Sequence, residues 1–147
     1  MSMEIHVFFR GELPAVAALG NAMKELGFPL SIEPAEGSLE QQRGFMPMLL
    51  QGEKTGVEFD VFNGPFDAED FGLDVEVDPS FDRRASFRWA GDEKEMLCGL
   101  CGAASLAKLI NGIVLEEMEG ILLSPDEAIG MARENVQAVI AQQQPGL

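Results

Sequence analysis

The chain has no tyrosine, one tryptophan, one histidine and two cysteines, and only 10 of its 147 residues are lysine or arginine. Two cysteines as close as Cys98 and Cys101 are not the framework of a disulfide-built secreted scaffold. With His6 the single histidine, any Ser-His or Cys-His catalytic pair must use it or not exist. No segment reaches the roughly 20 apolar residues a membrane helix needs. The opening Met1-Ser2-Met3-Glu4 carries neither a positive segment nor an apolar run, so the expectation is a cytoplasmic protein without a secretory signal. The shortage of cations stands against 25 acidic residues and leaves a formal charge of −15. Such a charge repels phosphate backbones and anionic lipid surfaces, which argues against nucleic acid and membranes as partners. Two readings of it remain: solubility, or attraction to a basic protein.

What is present is ordinary for a globular chain. Hydrophobic residues make up 46 % and charged residues 24 %, and the length suits one domain over 1–147 with its own core. Residues 4–9 alternate, with Ile5, Val7 and Phe9 on one face and His6 and Phe8 on the other, as a strand does. Pro14 suits the first turn of a helix that Val16, Leu19, Met23 and Leu26 continue and Gly27 stops. Residues 28–32 can return as a strand, residues 33–43 read as a surface connection, and apolar character resumes over 45–50. Lys54-Thr55-Gly56 reads as a turn into the alternating Val57, Phe59 and Val61. Strand-like alternation follows at 73–77 and, more securely, at Ala85, Phe87 and Trp89.

The last third turns helical. Asp92 is a good N-cap, with Glu95 three residues on, for an apolar stripe through Leu97, Leu100, Ala104 and Ile110 that Asn111-Gly112 ends. Residues 113–115 and 121–123 form a short hairpin pattern, and Ser124-Pro125-Asp126-Glu127 starts a final helix with Ser as cap, Pro at the first position and Glu completing a capping box. The tail 142–147 is expected to fray. The layout is α+β: a mainly antiparallel sheet with about three helices packed on it, for which a ferredoxin-like core is one topology that fits.

Motifs that carry chemistry are sparse. Cys98-Gly99-Leu100-Cys101 has CxxC spacing, but it lies about two turns inside its helix rather than at the N-terminus that would activate a thiol. No second ligand pair completes a zinc site. Buried, reduced thiols are the expectation. Gly99 and Gly102 each cost the helix about 1 kcal/mol relative to Ala, so something must approach that face closely: another backbone or, alternatively, a ligand. The acidic stretch from Asp67 to Asp82 lacks calcium-loop spacing. Glu58 and Asp60 read as the wet side of a strand. Neither a catalytic residue nor a metal site nor a cofactor is assigned.

The runs SFRWAGDEKEM, NGIVLEE and LLSPDEAIGMAR, within residues 86–133, resemble a pattern in small bacterial proteins, toxin-immunity proteins among them. The resemblance implies no catalytic residue, and the excess of acidic charge suits a cationic partner, since charge complementarity speeds association and rejects wrong partners. The expectation is therefore a non-enzymatic binding module for a basic protein, immunity-like or antitoxin-like. Its contact stretch would be Phe66, Asp67, Glu69, Asp70, Phe71, Asp74, Glu76 and Asp78, where carboxylates give steering and exposed aromatics give anchors. The alternatives are a small-molecule or enzymatic pocket near the Gly99/Gly102 helix, involving His6, Trp89 or the cysteines, and a structural adaptor.

Overall fold

The computed structural model describes residues 2–72 and 77–142. Its centre is a seven-stranded antiparallel sheet: β1 (Met3–Phe9), β2 (Leu30–Ile32), β3 (Gly44–Leu50), β4 (Glu53–Asn63), β5 (Arg83–Trp89), β6 (Ile113–Glu116) and β7 (Ile121–Leu123), in the spatial order β2-β3-β4-β5-β1-β6-β7. Helices α1 (Val16–Glu25), α2 (Glu93–Ile110) and α3 (Pro125–Gln142) complete it. This is the expected α+β architecture. Counting antiparallel steps, β1 and β2 run parallel with three strands between them, and β5 and β6 run parallel on either side of β1. No described helix is long and apolar enough to cross a membrane.

Period-two alternation sends Ile5, Val7, Phe9, Val57, Phe59, Ala85, Phe87 and Trp89 to one face, where they join the helices in the main core. Helix α2 lies at its centre, touching β1, β4 and β5 below and α1 and α3 on its flanks. The close approach expected at its glycines is to side chains, not to another backbone. A Cβ at Gly99 would fall 2.5 Å from the Trp89 ring, and one at Gly102 would fall 2.9 Å from the Phe87 ring. The rings of β5 thus occupy the hollow that the missing side chains leave.

The caps of the last two helices form as their residues suggest. Asp92 accepts from the Lys94 and Glu95 amides, and Asn111 takes the left-handed conformation at φ 55°. The Ser124 hydroxyl accepts from the Glu127 amide at 3.2 Å while the Glu127 carboxylate accepts from the Ser124 amide at 3.0 Å. Three local expectations are corrected. Pro14 precedes α1 rather than entering it, and the helix start is secured from outside, the Val16 amide donating to the Gly37 carbonyl at 2.9 Å. The 33–43 connection is pinned by Leu39, which is fully buried. The turn before β4 is Gln51-Gly52, both at positive φ as a two-residue hairpin turn requires, and Lys54-Thr55-Gly56 belongs to the strand opposite Leu49-Met48-Pro47. The 73–77 alternation falls largely outside the described residues, as does the tail 143–147.

Glycines 99 and 130 should respond oppositely to alanine. At Gly99 the new methyl collides with Trp89, and overpacking of about 1–3 kcal/mol exceeds the helix-propensity gain of about 1 kcal/mol. At the exposed Gly130 of α3 nothing lies within 4 Å, so only the gain remains. Urea unfolding should show a lowered midpoint for Gly99→Ala and a raised one for Gly130→Ala; a raised midpoint at position 99 would show that α2 is not seated on the ring.

Candidate functional site

The sheet face opposite the helices is built from the alternate residues of the same strands. Glu4, His6 and Phe8 of β1 point there, with Arg84, Ser86 and Arg88 of β5 and Glu58, Asp60 and Phe62 of β4. Register sets His6 opposite Ser86 on one side and Leu115 on the other. Phe8 and Leu115 are fully buried here, because Phe66, Phe71, Val77 and Phe81 of the connection between β4 and β5 fold down over them. Phe66 and Phe71 stand edge-on to Phe8, at ring-centroid distances of 5.6 and 5.5 Å.

His6 sits at the margin of this second core and is 1 % exposed. The Phe71 ring lies 5.4 Å from the imidazole. On one side Nδ1 is 2.7 Å from Ser86 Oγ, and on the other Nε2 is 3.0 Å from Glu117 Oε2 and 3.8 Å from Glu4 Oε2. Burial and, second, the Arg84 charge lower the imidazole pKa to about 4, against an opposing pull from Glu4. The neutral ring is satisfied with Nε2–H donating to Glu117 and the Ser86 hydroxyl donating to Nδ1. Arg84 covers the rings of Phe62, Phe66 and Phe71, its guanidinium carbon 4.3, 5.2 and 4.9 Å from their centroids.

The residue types of a hydrolytic triad are present, but their arrangement does not suit acyl transfer. Ser86 is 5 % exposed and its hydroxyl is engaged by the ring, whereas a nucleophile must be reached by its substrate. The accessible groups at the mouth are the carboxylates of Glu4 and Glu117, which are one-third or more exposed. With His6 they place one nitrogen and two oxygen donors within 4.8 Å of one another, the one such set of three among the described residues.

The residues singled out by pattern are distributed otherwise. Cys98 and Cys101 are free and buried as expected, and burial pushes the Cys98 thiol up to about 12 and the Cys101 thiol up as well, so neither is poised for redox chemistry. Phe66 and Phe71 turn inward onto Phe8 and are only partly exposed. Asp67, Glu69, Asp70 and Asp78 are exposed; Asp67 and Asp78 accept the Glu69 and Ser80 amides in local turns. Asp74 and Glu76 lie outside the described residues. The ligand-approach alternative at the glycine face of α2 meets Trp89 and Phe87 there, although a pocket of about 350 Å³ opens beside it between Trp89, Met96, Leu100, Met131 and the β6-β7 hairpin. The Glu4-His6-Glu117 grouping escaped pattern reading. Glu4 and His6 share a strand face by their spacing of two, but nothing local ties them to Glu117, which lies 111 positions from His6.

Comparison with protein-family models, curated proteins and solved structures yields no match to this chain.

The titration of His6 has a defined sign. Its folded pKa of about 4 lies below the ordinary 6.5, so as pH falls from 6.5 to about 4 the unfolded chain takes up a proton that the folded chain refuses. The resulting loss of stability approaches about 3 kcal/mol over that window and is absent above it. In metal-free buffer, an NMR titration of the single histidine should give a midpoint well under 5, moving up in Phe71→Ala as the ring is uncovered; a midpoint near 6.5 would contradict the burial. The two thiols should stay inert to a thiol reagent at pH 8 in native protein and react on addition of denaturant, whereas rapid native labelling would place them at the surface.

Proposed function

We propose that the protein is a cytoplasmic, non-enzymatic binding module for a basic protein partner, in the manner of an immunity protein or antitoxin. The supporting observation is how unevenly the charges are used. The few cations are largely engaged within the fold: Arg83 with Gly11, Asn63 and Glu40, Arg84 and Arg10 over aromatic rings, Arg133 on the Leu26 carbonyl, Lys94 with Glu53 and Lys108 with Asp126. Asp67, Glu69, Asp70 and Asp78 make no ion pair with any described residue. An excess of unneutralised carboxylate accelerates encounter with a cationic surface and rejects anionic ones.

Phe66 and Phe71 shape this surface rather than anchor a partner, since they hold the connection onto the sheet. Phe62, 43 % exposed and joined to Phe66 through the shared Arg84 guanidinium, is the apolar contact available beside the carboxylates. A second reading, binding of a small apolar molecule, is favoured by the pocket beside α2.

The test is recovery of a discrete basic protein from lysate of the native cell by the tagged chain, followed by kinetics with that protein purified. Association should slow about tenfold between about 50 and 300 mM salt, and slow similarly in Asp67→Asn/Glu69→Gln/Asp70→Asn. Phe62→Ala should speed dissociation. A partner whose association ignores both salt and the triple replacement would overturn the proposal.

A further inference from the structure

The geometry points to a binding site for a divalent transition-metal ion formed by Glu4, His6 and Glu117. Three features carry it. The donors are already spaced for one ion: bonds of about 2.0–2.2 Å to a shared cation separate neighbouring donors by roughly 3.3 Å in tetrahedral geometry, and Nε2 lies 3.0 Å from Glu117 Oε2 and 3.8 Å from Glu4 Oε2. The two partly exposed carboxylates, whose oxygens lie within 4.8 Å of each other, complete the set by rotating toward the ion.

The imidazole is held from behind. Ser86 Oγ, 2.7 Å from Nδ1, stands where metal-binding histidines have the outer partner that fixes ring orientation and tautomer. On loading, the ring proton resides on Nδ1 and is donated to Ser86 Oγ, which frees the Nε2 lone pair for the ion. The ring stays neutral and no proton is gained or lost. Ser86 itself is fixed by the β1-β5 register, so ring, hydroxyl and backbone form one rigid support.

The exposure is also graded. His6 is buried against Phe71, while Glu4 and Glu117 reach water, so an ion entering from solvent meets the carboxylates first and the nitrogen last. One imidazole with two carboxylates is a donor set for zinc, cobalt, iron(II) or manganese; magnesium and calcium prefer oxygen alone, and copper(I) prefers sulfur. Arg84, whose charge also acts on Glu4 and Glu117, opposes a dication but leaves the two carboxylates in excess over it. Water would fill the remaining coordination positions.

The test uses the full chain, stripped with chelator, titrated at pH 7.5 with zinc by calorimetry and with cobalt by visible absorption. The expected result is one ion per chain, a micromolar Kd, and a shift of the His6 Nε2 resonance in NMR. Glu117→Gln and Glu4→Gln alter partly exposed side chains and should keep the native circular dichroism while weakening binding at least tenfold each. Asp67→Asn/Glu69→Gln/Asp70→Asn should leave it unchanged, which separates this site from the charged surface of the proposed function. Absence of binding at 1:1 stoichiometry, binding that survives both glutamine replacements, or equal binding of calcium would overturn the assignment, the last two by showing diffuse attraction to an acidic chain.

Discussion

Everything on the helical side of this protein depends on how closely α2 can approach β5. Gly99 and Gly102 are one helical turn apart on one face, and Phe87 and Trp89 are one pleat repeat apart on the inner face of the strand, so the two periodicities meet ring to hollow. Each glycine weakens the helix by about 1 kcal/mol, and the burial of a large ring contributes about 2–3 kcal/mol, which outweighs that cost. The consequence reaches beyond the pair. Seated this deep, α2 runs along the sheet over β1, β4 and β5, and α1 and α3 pack on its two sides. The reduced cysteines follow from the same seat: they lie in the inward part of α2, where burial holds both thiols protonated.

Putting all three helices on one face leaves the other to be covered by other means. The two central strands β1 and β5 carry Phe8 and Arg84 outward, and the connection between β4 and β5 supplies Phe66, Phe71 and Phe81 to enclose them. A cation in such a place is costly unless something replaces its water. Ring faces do so in part for Arg84, whose Nε is buried without a hydrogen-bond partner among the described residues, and the same lid covers His6 and keeps it neutral. The acidic connection is therefore two-sided: its aromatics close a small core while Asp67, Glu69, Asp70 and Asp78 face solvent, and the interspersing of acids among phenylalanines serves both.

Most of the architecture was legible because its signals are local. Alternation located β1, β4 and β5, and side-chain caps located the starts of α2 and α3, since Asp92, Ser124 and Glu127 act within three residues. What was illegible depended on partners distant in the chain. The start of α1 leans on Gly37 and not on a cap of its own. Gly56 drew the turn to itself, yet it is a glycine because the Phe45 ring and the Met46 carbonyl crowd the place of a Cβ there, within 2.4 and 2.6 Å. The site was the least legible part. Its members come from β1, β5 and the β6-β7 turn, and His6 meets Ser86 only after the register of two strands 80 positions apart is set.

The choice of histidine at position 6 bears on what that site is for. Between Phe71, Phe8 and Leu115 an apolar side chain would pack without desolvating a titratable ring and without losing stability as pH falls below 6.5. Imidazole adds a directed nitrogen, fixed by Ser86 and aimed between two carboxylates that reach water. A dication there would lower the formal charge of −15 by two units, at one place on the surface whose excess of carboxylate is proposed to steer a basic partner. Ion and partner would then compete through the field even without touching, and by linkage each would weaken the other by the same factor. The coupling is bounded by screening, since charges more than about 8 Å apart at physiological salt interact weakly through solvent; it would be felt by a partner that spans the mouth of the His6 cluster and would be slight for one that stays on the connection alone.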